Sequence, residues 1–244
     1  MDMNATWVWA SASDHRTPAA SPHHERSSVK KLDVVWAVGR PTLGGALRAL
    51  VPLRIYGSER VPADGGVVLA LNHFSWLDPP AFGAASPRNI RFMAKIELHA
   101  VKLMGPLIRS FGTFAVRRGE SDREAVRLMR QCVQEGDALG LFVEGTRQRS
   151  GVPGVAQPGA AMVALQERVP IVPAAIHGSQ FWKPGNFEPV SVAWGRPLHF
   201  DGLPASGKGY REASVEVQRE IHGLWRFLVD AHALGRPRHA TPPA

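Results

Sequence analysis

The chain has 244 residues, of which 44% are hydrophobic and 20% charged, and it carries a formal net charge of +8. That length is enough for one substantial core, and the excess of Lys and Arg calls for an anionic partner: nucleic acid, anionic lipid head groups or a phosphate-bearing substrate. Cys132 is the only cysteine, which excludes an intrachain disulfide, a zinc ribbon and a thioredoxin-like pair.

Residues 1–29 are rich in Ser, Ala, His and charge without periodicity, and are expected to form a disordered N-terminal tail. The domain proper is expected over residues 30–234. It opens with a segment, 30–54, in which Val34, Trp36, Leu43, Leu47 and Leu50 alternate with Lys30, Lys31, Arg40 and Arg48. This pattern fits an amphipathic helical segment at a membrane surface, and it equally fits a helix packed on the domain's own core. Apolar runs bounded by Gly, Pro and Asp follow at 67–71, 91–94, 113–116, 139–143, 171–176 and 190–194, and read as strands. Helices fill the gaps between them. Ser121-Asp122-Arg123-Glu124 is a capping-box pattern that opens a helix ending at Gly136. Val217, Ile221, Leu224, Trp225 and Leu228 recur at helical spacing, so a late helix covers one flank of the sheet. Residues 235–244, with Gly, Pro, Arg and His, are expected to be a disordered C-terminal tail. The expected architecture is α/β: a single domain with a mixed, largely parallel sheet flanked by helices, preceded by the N-terminal amphipathic helical segment.

No run of about 18 apolar residues, the length needed to cross a bilayer, occurs in the sequence. The first thirty residues also lack the basic-then-apolar order of a signal peptide. The expected location is cytoplasmic, with peripheral association at the inner face of the membrane.

Three strand ends carry candidate chemistry. Leu69-Ala70-Leu71 runs into Asn72-His73-Phe74-Ser75-Trp76-Leu77-Asp78. A histidine titrates near neutral pH, and a carboxylate five residues on can hold its ring and tautomer. The same residues also fit a plain turn in which Asn72 and Asp78 make local hydrogen bonds. Ser75 lies too close to His73 to be its nucleophile, no G-x-S-x-G turn exists, and Cys132 falls inside a helix. A base without a nucleophile suits direct transfer, in which a substrate hydroxyl is deprotonated and attacks an activated carbonyl. The second strand end is Phe142-Val143-Glu144-Gly145-Thr146-Arg147, and the third reaches Arg117-Arg118-Gly119. Either can meet an anion, or be a solvated turn.

Taken in order, Asn72-His73-x-x-x-x-Asp78, Lys95-x-Glu97-Leu98 leading to Arg118, Phe142-Val143-Glu144-Gly145-Thr146-Arg147 and Val169-Pro170-Ile171-Val172-Pro173 resemble the glycerophospholipid acyltransferase family. The resemblance covers residues 50 to 200 and is strongest to the 1-acylglycerol-3-phosphate acyltransferase branch. It implies transfer of a fatty acyl group from acyl-CoA or acyl carrier protein to the free sn-2 hydroxyl of 1-acylglycerol 3-phosphate, giving phosphatidic acid. It further implies His73 as general base with Asp78 orienting it. Arg118, Glu144, Gly145, Thr146 and Arg147 map onto positions that bind the acceptor phosphate, and Asn72, Lys95, Arg117 and Pro173 onto supporting ones. Family members often carry an acid where this chain has Arg117, which leaves the acceptor open. Implied partners are the lysophospholipid acceptor, the acyl donor and an anionic membrane surface, without nucleic acid. No cofactor and no metal is implied. Two rivals stand: another lysophospholipid or glycolipid acceptor, and a non-catalytic module that binds anionic membranes.

Overall fold

The structure is a computed structural model that describes Gly45, Leu47 and residues 50–95, 114–116 and 122–243. The expected tail 1–29, most of the 30–54 segment, Arg117, Arg118 and Ser121 lie outside the described residues. Seven strands form one sheet: β1 (Leu53–Tyr56), β2 (Val67–Leu71), β3 (Ile90–Lys95), β4 (Phe114–Val116), β5 (Ala138–Phe142), β6 (Ile171–His177) and β7 (Val190–Trp194), in the order β1-β7-β6-β2-β5-β3-β4. Among these strands only the β6–β7 pair is antiparallel, so β1 and β7 run against the other strands. The mixed, largely parallel sheet expected from the sequence is what forms. Among the described residues, four helices flank it: α1 (Asp78–Ala85), α2 (Asp122–Gln134), α3 (Gly159–Glu167) and α4 (Gly207–Ala233).

A parallel strand covered on both faces needs apolar residues at every position, not at alternate ones. Val67-Val68-Leu69-Ala70-Leu71 of β2 meets that demand, and all of it is buried. Val67, Leu69 and Leu71 pack with Phe82 of α1 and Trp194 of β7 on one face. Val68 and Ala70 pack on the other face with Met129 and Val133 of α2, Val163 of α3 and Val217 of α4. Gly136 sits in the left-handed region just past α2, the position where a glycine ends a helix without steric cost. The late helix α4 is longer than its periodic stretch suggested. Its 27 residues extend about 40 Å at 1.5 Å per residue, and Leu224, Leu228 and Ala231 carry it across to Tyr56 and Ala193.

Two boundaries differ from the sequence reading. Leu53 and Arg54, read as the end of the helical segment, begin β1 instead, because this edge strand gains its order from pairing with Val190 to Ala193. The 235–244 tail, expected to be disordered, is docked as far as it is described. Arg60 donates to the carbonyls of Pro242 and Pro243, at 2.9 and 2.7 Å, and Arg236 donates to the carbonyl of Pro52 at 2.5 Å. A proline-rich end cannot join a sheet for want of N–H groups, but its carbonyls remain good acceptors for a guanidinium.

Where β6, β7 and α4 meet, His232 Nε2 lies 2.9 Å from Ser191 Oγ, and its ring packs edge-on against His177, with centroids 4.7 Å apart. Burial, with the charges of His177 and Arg236 adding to it, pushes His232 down to about 4; burial alone lowers His177. A histidine with a depressed folded pKa is protonated more readily when unfolded, so stability falls as pH drops from 6.5 toward 4. Replacing His232 with Gln is expected to flatten this dependence. Thermal melts at pH 7 and pH 5 should show a smaller acid-induced fall in Tm for the variant than for the native chain, and equal falls would refute the assignment.

Candidate active site

The parallel strands β2, β3, β4, β5 and β6 all point their C-terminal ends to one edge of the sheet. The candidate residues converge there: His73 and Asp78 follow β2, Glu144 to Arg147 follow the neighbouring β5, and Lys95 closes β3. Arg117 and Arg118 follow β4 and are not among the described residues. With neighbouring strands about 4.8 Å apart, the edge from β2 to β4 spans about 14 Å.

Asp78 organises the loop after β2. Its side chain is fully buried, and one oxygen, Oδ2, accepts from Phe74 N at 2.6 Å, from Ser75 N at 2.7 Å and from His73 Nδ1 at 2.8 Å. The two backbone donors converge on the same oxygen that faces the imidazole, an arrangement that suits an ionised carboxylate. An ionised carboxylate only accepts, so His73 Nδ1 carries the proton and Nε2 is left as the basic nitrogen. No described residue hydrogen-bonds to Nε2, and the His73 side chain is 18% exposed. The turn reading of this segment holds, and the carboxylate that closes the turn also fixes the ring. The N–H groups of Phe74 and Ser75 are committed to Asp78 and are not free to serve as oxyanion donors. Pro79 and Pro80 fall in the first turn of α1, where a missing N–H costs nothing.

The His73 ring is stacked on Phe142 at 4.0 Å between centroids, with 24° between the planes. Its backbone is held at both ends: His73 N donates to Glu144 Oε2 at 2.7 Å, and Gln148 N donates to His73 O at 2.7 Å. Glu144 Oε1 accepts from Gly154 N at 2.9 Å. Glu144 is buried, and burial raises its pKa to about 7, against the opposing effect of those two N–H donors and with the Asp78 charge adding to the rise. Both of its oxygens thus serve the protein's own backbone, tying the loop after β2 to the loop after β5. Gly145 follows at φ 70°, a left-handed conformation that only glycine adopts freely. It turns the chain so that Thr146 and Arg147 stand exposed beside His73's loop.

Two supporting residues lie inside the scaffold. Asn72 is fully buried and exchanges two hydrogen bonds with the backbone of Ile176, 2.8 and 3.1 Å, locking β2 to β6. Pro173 sits within β6 opposite Ala70, and an added Cβ on Gly195 would lie 2.7 Å from its ring. Pro173 thus faces α4, on the side of the sheet away from Phe142 and His73. Phe142, Gln148 and Gly154 were not singled out by sequence reasoning. Only the β2–β5 register, Leu71 opposite Phe142, would have flagged the first. Among the described residues no group of three or more His, Cys, Asp and Glu side chains is placed to hold a metal ion.

Comparison with known proteins gives the same picture. The family model described as Acyltransferase matches residues 52–177. The chain is 32% identical over 172 residues to a 1-acyl-sn-glycerol-3-phosphate acyltransferase of Bacillus subtilis, covering 66% of this chain and 84% of that protein. It is 26% identical over 174 residues to one of Streptococcus pneumoniae, covering 69% of this chain and 64% of that protein. The crystal structure of the 1-acyl-sn-glycerophosphate acyltransferase PlsC from Thermotoga maritima superposes with a TM-score of 0.62 at 24% identity, covering 87% of this chain and 84% of that one, and shares the fold. With the family model matching half of its length and a relative 32% identical across most of that relative's sequence, the chain belongs to the acyltransferase family.

Proposed function

We propose that this enzyme moves a fatty acyl group from acyl-CoA or acyl carrier protein onto the sn-2 hydroxyl of 1-acylglycerol 3-phosphate, giving phosphatidic acid, at the inner face of the membrane. The observation that carries the proposal is His73, oriented through Nδ1 by buried Asp78, its Nε2 without a partner among the described residues, one strand away from Thr146 and Arg147. In the reaction, Nε2 takes the proton of the acceptor hydroxyl as its oxygen attacks the thioester carbonyl. The tetrahedral intermediate collapses by breaking the carbon–sulfur bond, and the departing thiolate receives the proton from the imidazolium. Asp78, anchored by two backbone N–H groups, stabilises that imidazolium without changing its own position. Arg147 and Thr146, with Arg118, bind the acceptor phosphate, a role that suits a guanidinium's paired donors. Gly145 keeps the backbone open to that phosphate. Glu144 acts by holding the His73 loop, and Lys95 and Arg117 are supporting cations for the anionic acceptor. The relatives named for this activity support the choice of acceptor.

The test is a matrix of acyl-CoA and acyl carrier protein donors against lysolipid acceptors with and without the phosphomonoester, with the site of acylation read by mass spectrometry. Acylation at sn-2 of 1-acylglycerol 3-phosphate is expected, and preference for an acceptor without the phosphomonoester would overturn the assignment. Arg147→Ala is expected to raise KM for the phosphorylated acceptor about tenfold or more, as loss of a charge-assisted contact of about 1.5–3 kcal/mol requires. KM for the acyl donor should stay unchanged.

A further inference from the structure

The large hydrophobic side chains that remain exposed are unevenly placed. Trp76, at 58% exposure, lies in the loop after β2; Val152 and Val155 lie in the loop after β5; Phe181 and Phe187, at 60% and 58%, lie in the loop after β6; and Leu50 precedes β1. These six positions belong to the edge that carries His73, because β1 runs opposite to β6 and so begins where β6 ends; three other exposed apolar side chains are isolated, Met93 within β3, Val215 on the outer face of α4 and Leu234 just past its end. Among the described residues, the loops at the opposite edge, 57–66, 86–89, 135–137 and 168–170, present no exposed large hydrophobic side chain.

The 178–189 loop is built to hold its aromatics outward. Asn186 Oδ1 accepts from Lys183 N at 3.0 Å and from Glu188 N at 3.2 Å, while Asn186 Nδ2 donates to Phe181 O at 2.9 Å. Phe187 is kept at φ 51°, a conformation costly for a bulky side chain unless its surroundings impose it. Trp76 packs edge-on against the buried Trp182, with centroids 5.6 Å apart, which joins this loop to the one that holds His73. Exposed Lys183, Arg147 and Arg149 stand on the same loops. Rings that combine apolar faces with flanking cations have the composition of a bilayer's head-group boundary binder, attracted by anionic lipid and held by apolar burial.

We infer that Trp76, Phe181 and Phe187 form an aromatic lip that dips into the head-group layer of an anionic bilayer and sets His73 at the height of the acceptor's hydroxyl. The inference rests on the reading of the acceptor as a membrane lipid. It assigns membrane contact to loops of the catalytic domain, separate from the 30–54 segment.

The single native cysteine makes a local test available. Cys132 is buried and its thiol is pushed up to about 12 by that burial and by Asp137, so an environment-sensitive fluorophore will label an introduced surface cysteine selectively. In the full chain carrying Phe187→Cys, emission is expected to shift to the blue on adding phosphatidylcholine vesicles that contain phosphatidylglycerol, and to be quenched by brominated lipid. The same probe at Asp64→Cys, exposed at the opposite edge, should not respond. A silent probe at 187 on protein that sediments with the vesicles would overturn the proposal, as would a shift without lipid that grows with protein concentration, which would give the surface to a second copy of the chain. The paired variant Phe181→Ser/Phe187→Ser should lose vesicle partitioning by about tenfold for each ring. Turnover of vesicle-presented acceptor should fall with it, while turnover of a dissolved short-chain lysophosphatidic acid is retained. Equal loss on both acceptors would place the rings in the substrate site instead. If the native chain acylates no lysolipid, the acceptor reading fails while the fluorescence shift still decides the lip.

Discussion

Replacing His73 with Ala is expected to lower kcat by about 10² to 10⁴-fold, the contribution of a positioned general base, while leaving the fold intact. The two parts of this expectation come from different atoms. The proposed catalysis uses the ring, whose Nε2 is the nitrogen left for substrate once Nδ1 faces Asp78. The fold uses the backbone, whose bonds to Glu144 and Gln148 an alanine keeps. Asp78 would still accept from Phe74 and Ser75, so its buried charge is not stranded. Loss of the stack on Phe142 costs roughly 0.5–1.5 kcal/mol by analogy with aromatic pairs, too little to unfold a domain of this size. Steady-state kinetics alongside thermal melts check both parts, and full turnover by well-folded His73→Ala protein would rule out the mechanism.

The second large effect is expected at Asp78. Asparagine can place its one carbonyl oxygen where Oδ2 stands and keep all three donors, putting its amide nitrogen at the Oδ1 position, which is buried without a partner among the described residues. Asp78→Asn therefore preserves the turn while removing the charge. What it loses is stabilisation of the imidazolium: two unit charges about 4 Å apart at an effective dielectric near 20 attract by about 4 kcal/mol, equivalent to about 10³ in rate. A kcat lower by 10² to 10³-fold with little change in KM for either substrate is the expected signature. An unchanged kcat would reduce Asp78 to a turn residue.

The strands were legible because a buried parallel strand writes itself as an apolar run, and β2, β5, β6 and β7 do so within a residue at either end. β1 was not legible. Leu53-Arg54-Ile55-Tyr56 is short, carries a charge and follows an amphipathic stretch, so only its pairing with β7 reveals it. In the site, the residue types of His73 and Asp78 announce their chemistry, whereas the role of Glu144 does not. A carboxylate spent on backbone N–H groups 71 and 10 residues away has the same letter as one that meets a substrate. Phe142 was hidden for the opposite reason: a ring at the end of an apolar strand reads as core until the register shows it lying under a histidine. The aromatic lip escaped notice because Trp76 and Phe181 are far apart in sequence and become neighbours only through Trp182.

The closure of the loop by Asp78 also makes the length of the gap between His73 and Asp78 matter, not merely the identity of the two residues. Oδ2 has to reach an imidazole and two consecutive amides at once, so the intervening stretch behaves as a mechanical dimension. A spacer one residue longer or shorter would rotate the carboxylate off at least one of those donors. Substitutions between the two residues are then limited by side-chain fit and by the N–H that positions 74 and 75 must keep, which bars proline there, while insertions and deletions are opposed by geometry.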